Sequence, residues 1–230
     1  MSQDKKYSLS REDIHDNDIK GHLSRINQEF ADGFEFLKKY PKSVTIFGSA
    51  RAKPDSDHYK DALELGTRIA KELKYAIITG GGPGIMEAVN KGAYEAGGVS
   101  IGLNISLPHE RGTNAYCTHA IKFSYFFSRK TMLTFAAEAF VFFPGGYGTF
   151  DELFNILTLI QTEKIPRVPI VLFDSSFWNG FKQVMETNMV EKFGTISPKD
   201  LGFFEIADSI DHVIDIIRKA PLSEWWRNIN

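Results

Sequence analysis

From residue 43 onward the chain alternates short β-rich apolar runs with helical stretches, and this alternation limits its fold more than any other feature. Strands are predicted at 44–47, 75–79, 99–103, 120–123, 139–143, 168–173 and, more weakly, 203–206. Helices are predicted near 57–73, 84–97, 125–138, 149–161, 176–192 and 208–219. Continuous apolar strands of about five residues are buried on both faces, and helices between them supply right-handed crossovers. The expected fold class is therefore α/β: a Rossmann-like, doubly wound, mostly parallel sheet of about seven strands with helices on both faces. Ahead of it, Ile19, Leu23, Ile26, Phe30, Phe34 and Leu37 form one apolar helix face that Pro41 stops. The expected organisation is an N-terminal extension with an amphipathic helix over 1–41, the Rossmann-like domain over 42–220, and a tail over 221–230. No internal repeat or interdomain linker is visible.

Composition excludes several function classes. A formal net charge of −2 over 230 residues gives no global basic surplus, so a nucleic-acid scaffold is not expected and any anion site must be local. Cys117 is the single cysteine, which removes intramolecular disulfides and cysteine-rich zinc sites. The histidines (His15, His22, His58, His109, His119, His212) show no metal-binding spacing, and no metal is expected. No apolar run approaches ~18 residues and the start MSQDKKYSLS has no signal-like core, so the expectation is a cytoplasmic protein without a membrane partner.

In a doubly wound sheet, loops at the C-terminal ends of the strands share one edge, and ligands bind where strand order reverses. This chain places Gly48-Ser49-Ala50-Arg51, Gly80-Gly81-Gly82-Pro83-Gly84, Asn104 to Glu110, and Pro144-Gly145-Gly146-Tyr147-Gly148-Thr149 on that edge. The last loop opens a helix, where glycine N–H groups and the positive end of the dipole suit a phosphate. Thr149-Phe150-Asp151-Glu152 equally fits a capping box, with Thr149 capping and Glu152 reaching back. Arg129 returns to the level of this loop, because ~14 Å of descending helix nearly cancels ~16 Å of rising strand. Arg129 and Lys130 also read as the solvated start of their helix. The Gly80 loop fails the dinucleotide fingerprint, since Ile85 and Glu87 stand where glycine is needed, and no Walker A lysine follows any turn. A ligand with one phosphate and one ribose fits this smaller apparatus.

Taken together, Phe47-Gly48-Ser49, Thr79-Gly80-Gly81-Gly82 with Gly84 and Met86, Leu107-Pro108-His109-Glu110, Ser128-Arg129-Lys130 and Pro144 to Thr149 with Glu152 resemble the LONELY GUY family. These are phosphoribohydrolases of nucleoside 5′-monophosphates, often mislabelled lysine decarboxylases. The resemblance spans about 44–189. It implies hydrolysis of the N-glycosidic bond of AMP or a cytokinin riboside monophosphate to free base and ribose 5-phosphate, without a cofactor, by a homodimer. It places the catalytic pair on Arg129 and Glu152. Substrate contacts fall on Gly48, Ser49, Gly81, Gly82, Glu110, Lys130, Gly145, Gly146, Tyr147, Gly148, Thr149 and Thr158. Nothing here resembles a pyridoxal phosphate site, so the decarboxylase label has no chemical support. Glu87 stands where plant-like members carry glycine, which points to the broader bacterial branch and to purine monophosphates such as AMP. Arg129 is expected to keep Glu152 ionised, with Lys130 a weaker contributor. Phe126, Phe127, Met132 and Met86 are candidates for a base pocket or for the core. The alternative reading is a non-catalytic nucleotide-binding or molybdenum-cofactor carrier protein on the same architecture.

Overall fold

Ser43–Phe47 forms β1, and its alternation of Val44 and Ile46 with Thr45 and Phe47 sends apolar groups to both faces of a sheet that buries all five residues. The computed structural model describes residues 16–106, 112–135 and 137–223. The other strands are β2 (Ala76–Thr79), β3 (Ser100–Ile105), β4 (His119–Phe123), β5 (Ala137–Phe142), β6 (Ile170–Phe173) and β7 (Glu205–Ala207). They form one sheet in the order β4-β3-β2-β1-β5-β6-β7, and every neighbouring pair is parallel. Strand order therefore reverses between β1 and β5, where Val44 pairs with Ala139 and Phe47 with Phe142.

The helices are α1 (Asp16–Leu37), α2 (Asp57–Arg68), α3 (Ile85–Glu95), α4 (Phe126–Thr134), α5 (Tyr147–Gln161), α6 (Ser175–Val184) and α7 (Ile210–Lys219). Two buried cores lie on opposite faces of the sheet. One packs Leu65 of α2, Val89 of α3 and Val213 and Ile217 of α7 against Val44, Ile77, Val141 and Val171. The other packs Leu37, Met132, Leu153, Ile156 and Trp178 from α1, α4, α5 and α6 against Ile78, Leu103, Phe142 and Leu172. Burial of such side chains contributes roughly 1.5–3 kcal/mol each, which is what holds the layers together. The seven expected strands are all present.

On the first face, α2 and α3 touch backbone to backbone. A Cβ on Gly66 would run into the carbonyl of Val89, and one on Gly92 into the carbonyl of Leu63. Thr67 Oγ1 donates to the Gly92 carbonyl across the same contact (3.2 Å).

One local reading is corrected and two others gain a detail. The helix expected over 125–138 ends at Thr134, because Phe135 is extended and Ala137 already pairs with Ser43 in the sheet. Alanine and glutamate favour helix there, and parallel pairing overrides that preference. The helices expected to 73 and 192 do continue, as π-helical turns over Ile69–Leu73 and Met185–Lys192.

Besides the packing of Leu37, one carboxylate ties α1 to α4. Glu29 of α1 accepts from the Ser124 N–H (2.5 Å), the Tyr125 N–H (3.4 Å) and the Ser128 hydroxyl (2.5 Å), so it caps the start of α4 from another helix. Partial burial pushes the Glu29 carboxyl up, but these hydrogen bonds outweigh it and hold its pKa below the ordinary value. His22 adds a contact to the Tyr125 hydroxyl (2.9 Å).

Candidate active site

The loops after β1 and β5 meet at the switch point, where the Ser49 N–H donates to the Pro144 carbonyl (3.0 Å) and the Phe143 N–H to the Phe47 carbonyl (2.9 Å). The turn after β2 joins them through the Ile85 N–H, which donates to the Ser49 carbonyl (3.0 Å). Above this junction lies a cavity of about 700 Å³. Its wall contains Phe47, Gly48, Ser49, Arg51, Gly80, Met86, Phe126, Arg129, Gly146, Tyr147, Gly148, Thr149, Asp151 and Glu152.

Glu152 is 8 % exposed, and its Oε2 has no hydrogen-bond partner among the described residues. The capping box is not formed. Gly146, not Thr149, is the N-cap of α5, and the Thr149 N–H donates to the Gly146 carbonyl from inside the first turn. Glu152 therefore sits past the residue from which a carboxylate could reach back, and it faces the cavity instead. Burial pushes its pKa up to about 7, and the Asp151 carboxylate adds to this, while Lys130 and Arg129 oppose it. The expectation that Arg129 keeps this group ionised is thereby corrected: desolvation outweighs both cations, and the carboxyl is half protonated near neutrality. A carboxyl poised there can take or give a proton.

Arg129 stands in the first turn of α4, and its Nε donates to the Leu103 carbonyl (2.6 Å) and its Nη2 to the Gly80 carbonyl (3.4 Å). The guanidinium is pinned over the ends of β2 and β3. A Cβ on Gly80 would fall on Nη2, so the glycine makes room for the arginine. Lys130 pairs with Asp151 at 2.5 Å rather than with Glu152. That pair clips α4 to the first turn of α5.

The remaining expected residues divide clearly. Gly48, Ser49, Gly146, Tyr147, Gly148 and Thr149 line the cavity beside Arg129 and Glu152, and Tyr147 is 98 % exposed at its rim. Gly145 lies on the other side of the loop, on a neighbouring cavity. Gly81 and Gly82 are not on the wall; their carbonyls accept from the Asn114 N–H (2.8 Å) and Asn114 Nδ2 (3.1 Å). Thr158 is exposed on α5, where its hydroxyl donates to the Phe154 carbonyl (2.7 Å). Glu110 lies outside the described residues. Of the candidates for a base pocket, Phe126 (61 % exposed) and Met86 line the cavity, whereas Met132 is buried in the core.

Sequence reasoning missed the polar scaffold beneath the second loop. Thr79 Oγ1 donates to Asn90 Oδ1 (2.7 Å), Asn90 Nδ2 to Ser100 Oγ (2.8 Å), and Asn114 Nδ2 to Asn90 Oδ1 (3.0 Å), all buried or half-buried. The signal for it was a lone asparagine in an apolar helix, which is costly unless satisfied. Among the described residues there is no cluster of three histidine, cysteine or acidic side chains that could hold a metal, and no helix long and apolar enough to cross a membrane.

Sheet order and crevice define the class: a doubly wound α/β protein with a glycine loop and a buried carboxyl at its switch point. Within that class the chain belongs to the LONELY GUY family, whose sequence model, described as "Possible lysine decarboxylase", matches residues 86–217. The cytokinin riboside 5′-monophosphate phosphoribohydrolase of Rhodococcoides fascians is 25% identical over 185 residues, covering 77% of this chain and 90% of that protein. The enzyme of that name (LOG) from Oryza sativa subsp. japonica is 30% identical over 162 residues, covering 69% of this chain and 66% of its own. Among solved structures, the molybdenum cofactor binding protein of Rippkaea orientalis superposes with a TM-score of 0.57 at 22% identity, over 77% of this chain and 95% of that one. That likeness is one of fold.

Proposed function

We propose that the crevice hydrolyses the N-glycosidic bond of purine nucleoside 5′-monophosphates, releasing free base and ribose 5-phosphate. The observation that carries this reading is the buried, unpartnered Glu152 carboxyl facing a cavity whose rim is a glycine loop. The activity for which the phosphoribohydrolase relatives are named supports it.

The N–H groups of Tyr147 and Gly148 have no acceptor among the described residues and stand at the positive end of α5. They hold the 5′-phosphate, with Gly145, Gly146 and Thr149 shaping the loop, and this fixes the ribose over Glu152. Breaking the C1′–N bond leaves an oxocarbenium-like ribose, which an anion beside C1′ stabilises. Ionised Glu152 supplies that anion and accepts a proton from the attacking water as its oxygen bonds to C1′; the departing base takes a proton from solvent water, and Glu152 then releases its own to solvent, which restores the carboxylate. Arg129 offsets the negative charge gathered by phosphate and carboxylate. Gly48 and Ser49 form the opposite wall, Lys130 fixes α4 to α5, and Gly81 and Gly82 position the turn behind Arg129. Met86 and Phe126 offer an apolar surface for the base.

The reading includes a homodimer: Phe126 and Phe127, 61 % and 49 % exposed beside the site, form apolar surface that a second copy would cover. Sedimentation velocity tests this, and a monomer at micromolar concentration would remove the dimer from the proposal.

The decisive assay incubates the protein with AMP, GMP, IMP, CMP and isopentenyladenosine monophosphate and follows free base by chromatography. Base release is expected from the purine monophosphates, and Glu152→Gln is expected to lower it roughly 10²- to 10⁴-fold. Tight nucleotide binding with no base released from any of them would instead favour a carrier.

A further inference from the structure

A second cavity, of about 680 Å³, lies immediately across the glycine loop from the first. The two share Ser49 and Arg51 as walls, and the loop itself divides them, with Gly145 on the second cavity and Gly146 on the first. Gly145 and Gly146 are sequence neighbours, so the two cavities flank one loop and meet along Ser49 and Arg51, and the Ser49 N–H donates to the Pro144 carbonyl of that loop (3.0 Å).

The chemistry of the second cavity is cationic. Arg51 and Lys53 line it, both exposed, and neither has an ion-pair partner among the described residues. His58 also lines it, held at 2.7 Å by Asp174, whose other carboxylate oxygen accepts from Ser176, so that acid is already engaged. Asp55 is the one carboxylate on the wall, and it is exposed. The N-terminal ends of α2, α3 and α6 contribute Ser56, Ile85 and Phe177 there, so their dipoles favour an anion in this cavity. A monophosphate held on the α5 loop, as in the proposed function on which this inference rests, would leave Lys53 unused, since only Arg51 also faces the first cavity.

We infer that the second cavity receives the β-phosphate of a nucleoside 5′-diphosphate whose ribose and α-phosphate occupy the first. ADP then binds in the same register as AMP, gains contacts to Arg51 and Lys53, and competes with the monophosphate for the site. No bond is made or broken in this step.

The test is calorimetric binding of AMP, ADP and pyrophosphate, with EDTA present, in a Glu152→Gln background that prevents turnover, with and without Lys53→Glu. Lys53 lies outside the catalytic cavity and its side chain has no ion-pair partner among the described residues, so the charge reversal is expected to leave fold and AMP affinity unchanged. ADP is expected to bind about five- to tenfold more tightly than AMP, the gain of one charge-assisted contact at a partly exposed site. Lys53→Glu is expected to abolish that gain. An ADP affinity no better than that of AMP, or a gain that survives Lys53→Glu, overturns the inference and leaves the monophosphate reading standing. Tighter AMP binding in the presence of pyrophosphate also overturns it, because a separate anion would then occupy the cavity. Failure of both nucleotides to bind overturns this inference and the proposed function together.

Discussion

Replacing Glu152 by glutamine should make the protein more stable at pH 8 and change little at pH 5. Burial raises the carboxyl from its ordinary value of 4.5 to about 7 in the folded chain. Between those values the folded state holds a proton that the unfolded state has released, so wild-type stability falls as pH rises through this window and levels off above it. The accumulated difference is about 3 kcal/mol, since each pKa step corresponds to about 1.4 kcal/mol. Glutamine has no charge to desolvate, and any cost of burying its amide is the same at every pH. For a chain of this size about 3 kcal/mol corresponds to roughly 6–12 °C in Tm. The assay is paired thermal denaturation of wild type and Glu152→Gln from pH 5 to 8, read as the change in their Tm difference. A difference that stays flat, or that favours wild type increasingly toward pH 8, would refute the argument that burial dominates the environment of this carboxyl.

If base release needs ionised Glu152, kcat/KM for AMP should fall about fivefold between pH 7 and 6; removing Lys130, which opposes the raised pKa, should move that profile to higher pH, and an unmoved profile would count against the assignment. Gly80→Ala should keep the fold but lower turnover about 10- to 100-fold by displacing the Arg129 guanidinium, which a structure of the variant would show directly. Glu29→Ala removes a charged acceptor from three donors at the start of α4 and should cost about 2 kcal/mol by thermal denaturation. It should also reduce kcat more than it raises KM, with Glu29→Gln partly restoring both. Because the pKa of Glu29 is lowered in the folded chain, its contribution is present above the unfolded carboxylate value and is lost as pH falls through the folded one.

The architecture was legible because each buried strand is a continuous apolar run that no amphipathic helix would carry; Val44 to Phe47 and Ala139 to Phe142 announced the two strands of the switch point. Arg129 could be placed from helix rise and strand rise alone, even though its helix ends four residues earlier than the pattern at 125–138 indicates. That shorter end was not legible, since the pairing of Ala137 with Ser43 overrides local preference from 94 positions away. The protonation of Glu152 was misjudged for a related reason. Neighbouring cations are visible in a sequence, whereas the depth at which a carboxyl is buried depends on how α4 and α5 pack around the crevice, where Leu133 shares the wall with Glu152. Glu29 reads as one more surface acid of an amphipathic helix, and only the meeting of α1 with α4 reveals it as a cap.

The glycine-mediated contact between α2 and α3 gives the site an unusual mechanical property. With backbone against backbone at Gly66 and Gly92, and the Thr67 hydroxyl bonded to the Gly92 carbonyl across the contact, the pair is expected to move as a single lever. The loop bearing Ser49 and Arg51 feeds one arm of that lever, and the Gly80 turn feeds the other. A ligand pulling on either loop is therefore expected to load both, and so to reach the guanidinium that rests on Gly80.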